Sequence, residues 1–323
     1  LDLWFRVGDH PVVLTGKNLL RASVLALAGC AGGPQGAPPP IPPQPSPTVG
    51  VLVMAHGGTL QWDADVRDAV ASLGTEVPVE IAFGMADRAS LQGAVAGLEA
   101  RGVERIAVVR LFISRRSFLH QTEYLLGLRP DAPARFVGHA GHGDRSPPAV
   151  VRRRADVRVS RHGLAESPII GTILRQRVAA LSRDPRAESV LVVGHGAGDD
   201  EENAEVLGAL DAALDSIRAA GPFRAVMGET LREDWPEKRA EAEQRIRQFV
   251  ADGAAGGQVL VVPFRLSGFG PYGRVLAGLT YRADSTGLLP HPRLTRWIRD
   301  AAAEEICGAG WGGAPRECRA VAR

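Results

Sequence analysis

The chain contains no run of 18 or more apolar residues, which argues against a membrane-spanning helix. It has no excess of charge of one sign, with 38 Lys and Arg against 36 Asp and Glu. No whole-molecule field therefore draws it to nucleic acid or an acidic polymer, and any partner must be recognised by local groups. Cysteine is scarce: Cys30, Cys307 and Cys318 are the three, and all lie outside the segments that read as core. No Gly-x-Ser-x-Gly elbow occurs, so His56-Gly57-Gly58 lacks the nucleophile that an esterase would need beside it. Gly194, Gly196 and Gly198 do not have dinucleotide-loop spacing, and no Gly-Lys-Ser/Thr phosphate loop is present. What the chain does have is apolar content, 45% over 323 residues, enough for a sizeable core and about two domains.

The N-terminal segment reads as an export signal. Lys17 and Arg21 precede an apolar stretch from Ala22, which ends in Leu27-Ala28-Gly29-Cys30. This layout resembles a bacterial lipoprotein signal, which implies a lipid anchor on Cys30 and residence on the outer face of a membrane. The alternative is a buried cysteine in an N-terminal helix and a cytoplasmic protein. Residues 31–48 carry Pro34, Pro38 to Pro40, Pro42, Pro43, Pro45 and Pro47, a composition that favours an extended tether. In an oxidising compartment Cys307 and Cys318 can pair.

Two stretches repeat one order of elements. Val49 to Met54 reads as a buried strand, followed by a glycine turn and a helix with Trp62, Val66, Ala69, Val70 and Leu73 on one face. Val79 to Phe83, Leu91 to Ala100 and Arg105 to Phe112 continue as strand, helix and strand. The second set is Ser189 to Gly194, Asn203 to Ala219, Phe223 to Gly228, Glu237 to Ala251 and Gln258 to Phe264. Such alternation predicts an α/β fold with small parallel sheets flanked by helices. An internal duplication is the economical account, with Ala55-His56-Gly57 matching Gly194-His195-Gly196 and Val109 to Phe112 matching Val261 to Phe264. The predicted organisation is signal 1–30, tether 31–48, first domain 49–138, Arg-rich connector 139–161, second domain 162–300 and tail 301–323. The Arg-rich connector has no aromatic residues for base stacking, so it reads as a solvated loop and not a nucleic-acid surface.

Ligands of parallel α/β sheets bind at the carboxyl edge of the strands, where turns present side chains and N–H groups to one crevice. His56 and His195 hold that position, each beside a glycine. His120 ends the polar loop that follows the third strand of the first set. Neutral imidazoles ligate borderline divalent metals, and their reference pKa of about 6.5 lets them accept protons near neutrality.

On these residues, from about Val49 to Trp297, the chain resembles two tandem copies of the class II chelatases, the sirohydrochlorin cobalto- and ferrochelatases of the CbiX and SirB type. The resemblance implies two tandem flavodoxin-like domains and ATP-independent insertion of cobalt, iron or nickel into a sirohydrochlorin-like tetrapyrrole, the metal being substrate and no organic cofactor being needed. It makes His56 and His120 the metal-binding and proton-accepting pair and adds His195. The chain also departs from the pattern. Pro271 stands opposite His120 in the second set, and the family's Glu after the second strand is Met85 in the first set and Glu229 in the second. Two incomplete halves then form an internal pseudo-dimer around a metal set of His56, His120, His195 and Glu229. Glu229 can equally be a carboxylate at a helix N-terminus, and Met85 reads as core packing. His10, His139, His142, His162 and His291 have no partner motif. The alternative function is a non-catalytic metal- or tetrapyrrole-binding lipoprotein.

Overall fold

A computed structural model of the chain describes residues 48–134 and 148–311. The signal, the tether, His10, Cys30, His139, His142 and Cys318 lie outside them.

Among the described residues, eight strands form two parallel four-stranded sheets with matching strand order. The first sheet contains β1 (Val49–Ala55), β2 (Val79–Phe83), β3 (Arg105–Leu111) and β4 (Asp156–Val159), in the order β2-β1-β3-β4. The second contains β5 (Glu188–Gly194), β6 (Ala225–Thr230), β7 (Gln258–Phe264) and β8 (Arg282–Ala283), in the order β6-β5-β7-β8. The central strands are buried on both faces, which is why they read as unbroken apolar runs and not as alternations.

The helices begin where short polar side chains can take the first free N–H groups. Thr59 caps α1 (Leu60–Ala71), Asp87 caps α2 (Arg88–Ala100) and Asp199 caps α5 (Asp200–Arg218). Two short helices, α3 (Leu119–Leu125) and α7 (Tyr272–Val275), follow the loops after β3 and β7. The remaining three are α4 (Ile169–Leu181), α6 (Pro236–Gly256) and α8 (Pro292–Gly308).

Alternate residues of each strand divide between two apolar layers. Val51, Val53 and Ala55 of β1 and Val190 and Val192 of β5 share one continuous core with α1, α4, α5 and α8. Leu52 and Met54 pack under α2 on the outer face, and Leu191 and Val193 pack under α6. Two helices bind opposite to their place in the sequence. The helix α4, which follows the first sheet, packs on α5 and β7, whereas α8, which ends the second set, packs on β3, β4 and α1.

Three sequence expectations are corrected here. The Arg-rich stretch 139–161 is not wholly a loop: its last residues form β4, where Val157 and Val159 are buried while Asp156 and Arg158 face out. Four residues of alternation among arginines gave too little apolar signal to register as a strand. The tail from 301 is partly core, because α8 runs to Gly308 and buries Ala301, Ala302 and Ile306. The strand predicted from Phe223 to Gly228 sits two residues later, so Glu229 lies inside β6. Among the described residues no helix is long and apolar enough to cross a membrane.

Candidate functional site

The sequence GHG after β5 and AHG after β1 produce one backbone device. Gly57 and Gly196 take φ of +79° and +84°, a region that favours glycine, and this turns each chain sharply after the histidine. In both turns the histidine Nδ1 lies 2.8 Å from the carbonyl oxygen of the following glycine. A carbonyl only accepts, so Nδ1 carries the proton and Nε2 presents its lone pair outward, the tautomer that a metal ligand needs.

The two imidazoles then differ. His56 is exposed, near the edge-on pair formed by Trp62 and Phe83. His195 is half-buried, its ring meets Trp235 edge-on at 5.9 Å, and its Nε2 lies 3.2 Å from Asp234 Oδ2. The Asp234 carboxylate therefore stands in front of His195 Nε2, where His56 Nε2 meets solvent. The Trp235 indole also covers Gly198 so closely that a Cβ there would fall 2.2 Å from its ring nitrogen. Lys238 and Arg232 both reach the Gly198 carbonyl and Asp200, and their hydrogen bonds hold the Asp200 carboxyl below its ordinary value.

His120 sits in the first turn of α3, exposed, nine residues past β3. Because β1 and β3 are adjacent and parallel, His56 and His120 belong to the same carboxyl edge. The loop leading to His120 is fixed to the second sheet's side of the molecule. Ser114 Oγ donates to Glu202 at 2.6 Å, and Arg116 pairs with Glu201 at 3.0 Å and with Glu205. A matching tie runs the other way, from Ser267 after β7 to Asp65 on α1. The carboxyl edges of the two sheets therefore meet, and the His120 loop abuts the helix that follows the His195 turn.

Sheet register corrects two correspondences. Ala55 pairs with Leu111 and Gly194 with Phe264, so Leu111, not Phe112, is the counterpart of Phe264. Counted on from that register, His120 aligns with Gly273; counted back from Gly127 and Gly278, it aligns with Pro271. Neither is a ligand. Glu229 pairs with Val193 and is the counterpart of Ala82, not of Met85. It faces α6, where one carboxylate oxygen accepts from Arg245 Nε at 2.7 Å and the other from the Thr230 N–H at 2.9 Å. Glu229 is thus neither at a helix end nor free for a metal. Among the described residues no three His, Cys, Asp or Glu side chains come together as a metal site, so the four-residue set His56, His120, His195 and Glu229 is not assembled.

Sequence reading missed the groups that fill the second half. Buried Tyr272 and largely buried Arg265 both donate to Glu233, and burial pushes the Tyr272 hydroxyl pKa well above its ordinary value. Asp234 and Trp235 follow β6 by four and five residues, and no spacing rule marks them. A cavity of about 750 Å³ opens elsewhere, along β4 and the end of α8, lined by His162, Glu304, Glu305 and Trp311. None of the predicted site residues lines it.

No protein-family model matches the chain. A sirohydrochlorin cobaltochelatase from Methanothermobacter thermautotrophicus is 31% identical over 86 residues, 25% of this chain. The chain spans 60% of the length of that curated relative. SirB from Bacillus subtilis, solved with Fe3+, superposes with a TM-score of 0.53 over 80% of this chain and 96% of that one, at 14% identity. The sirohydrochlorin chelatase SirB from Bacillus subtilis subspecies spizizenii, in complex with cobalt, gives 0.51 over the same shares at 13% identity. The chain shares its fold with these two chelatase structures.

Proposed function

We propose that the chain inserts a divalent metal ion, cobalt, iron or nickel, into a sirohydrochlorin-like tetrapyrrole without ATP. His56 and His120 bind the metal and take up the pyrrole protons that leave as it enters. The observation that carries this reading is the His56 turn: Nδ1–H is bound to the Gly57 carbonyl at 2.8 Å and the ring is exposed, so Nε2 faces solvent as a ready ligand and base. His195 has the same turn, but its Nε2 lies 3.2 Å from Asp234 Oδ2 instead of open to solvent. It therefore serves to hold the second carboxyl edge in place, and the metal set contracts to the first half.

We also read the two sheets as copies of one ancestral unit acting as an internal pseudo-dimer, the first copy extending past 138 to include β4. Their shared strand order and the reciprocal ties Ser114–Glu202 and Ser267–Asp65 support this. Anchoring through a lipid on Cys30, with residues 31–48 as tether, places the protein outside the cytoplasm. Cys307 on α8 is disulfide-bonded, which fits an oxidising compartment.

The Asp234 carboxylate in front of His195 Nε2 favours a second reading, a carrier that holds metal or tetrapyrrole without inserting one into the other. Mixing the protein with Co(II) and sirohydrochlorin and following the absorption spectrum separates the two. Insertion that is lost in the His56→Ala, His120→Ala double variant supports the enzyme. Tight binding without insertion supports the carrier, and full insertion by the double variant removes both histidines from the mechanism.

A further inference from the structure

Arg110 of β3 is one of the largest fully buried side chains, 1% exposed. Burial lowers its pKa to about 10, still charged at neutral pH, yet no carboxylate lies within ion-pair distance among the described residues. Its donors end on backbone carbonyls instead. Nε donates to Ser160, Nη1 to Ser117 and Nη2 to Arg115, each at 2.7 Å. Two of these three carbonyls belong to the loop that ends in His120. That loop contains no glycine, and it swings into α3 through Phe118, which is held at a φ of +56°. A non-glycine residue in that region is strained and needs its surroundings to hold it there.

The second half supplies the contrast. The counterpart of Arg110 by sheet register is Pro263, which has no donor to offer. The loop after β7 turns on Gly268 and Gly270, both at positive φ, and has no histidine at the position of His120. The buried guanidinium and the loop histidine are present together in one half and missing together in the other.

We propose that Arg110 is the positioning residue for His120: its fork of donors fixes the carbonyls of Arg115 and Ser117 and so sets the direction from which the His120 imidazole meets the metal. This rests on the role proposed for His120. Removing the fork leaves a folded loop whose histidine samples several directions, and outer residues that orient a metal-binding histidine are worth about 10- to 100-fold in affinity.

The test is a double-mutant cycle on the full chain, with Co(II) chloride as probe and calorimetric titration as readout. Arg110→Met removes all donors, and Arg110→Lys keeps the charge but not the fork. Each is expected to weaken Co(II) binding by about 10-fold or more in the parent, and to have little further effect once His120 is Ala. If Arg110→Met does not fold, Arg110→Lys carries the same comparison. Equal losses with and without His120 overturn the positioning role and leave the proposed function standing. If His120→Ala alone leaves Co(II) affinity unchanged, the proposed role of His120 fails first.

Discussion

At the scale of single residues, His56 and His195 show how one motif acquires two fates. Both imidazoles are turned by a glycine at positive φ and locked through Nδ1, and the neighbour of Nε2 then decides what each can do. The glycine itself is testable. A Cβ on Gly196 would lie 2.8 Å from both Asn203 Oδ1 and Thr230 Cβ, atoms that already bond each other through the Thr230 hydroxyl. Gly196→Ala should therefore destabilise the protein by about 1–3 kcal/mol, read from urea unfolding; an unchanged midpoint would show that the turn relaxes freely. Glu229 gives the opposite expectation to a ligand. Glu229→Gln should lower stability, because Arg245 loses its charged partner beneath α6, while Co(II) affinity stays at the parent value. A fall in Co(II) affinity would return Glu229 to the site. The two histidine turns were legible in the sequence because a glycine next to a histidine after an apolar run is a local pattern. Asp234, Trp235 and the tie from Ser114 to Glu202 were not, because they join positions brought together only by folding.

At the scale of elements, strands buried on both faces were legible as apolar runs, and β2 and β7 were placed at their observed bounds. The edge strand β4 and the final helix were missed for different reasons. β4 is four residues long and flanked by arginines, whereas α8 carries an apolar face whose partners are 100 or more residues away in sequence. That helix is capped by His291, whose Nδ1 accepts from the Arg293 N–H at 3.1 Å while Nε2 meets Gln176 at 2.6 Å. Burial, with Arg177 and Arg293 nearby, depresses the His291 pKa in the folded state. A base with a lowered folded pKa stabilises the fold fully above its unfolded value, near 6.5, and loses that contribution as pH falls through the folded value. Thermal stability should therefore drop below about pH 6.5, and His291→Asn, which keeps a capping oxygen without a titrating ring, should flatten part of that drop. An unchanged slope would show that the cap does not titrate.

At the scale of the molecule, the inner faces of the two sheets share one core. Val51 and Val53 from one and Val190 and Val192 from the other belong to a single apolar cluster, with α4 and α8 crossing to the opposite sheet. Residues 48–161 expressed alone would leave β3 and β4 without α8, and Ile298 and Ile306 of that helix are fully buried. That fragment should show no cooperative thermal transition; a sharp one would show that each sheet is self-sufficient. Ile298→Ala in the full chain should cost about 2–5 kcal/mol. The whole account depends on His56 and His120 sharing one cation at the carboxyl edge of the first sheet. The most direct measurement is an anomalous diffraction map, recorded at the cobalt edge, from crystals grown with Co(II). A single peak about 2.1 Å from His56 Nε2 and from a ring nitrogen of His120 is the predicted result. A peak at His162 and Glu304 with none at His56 would contradict it.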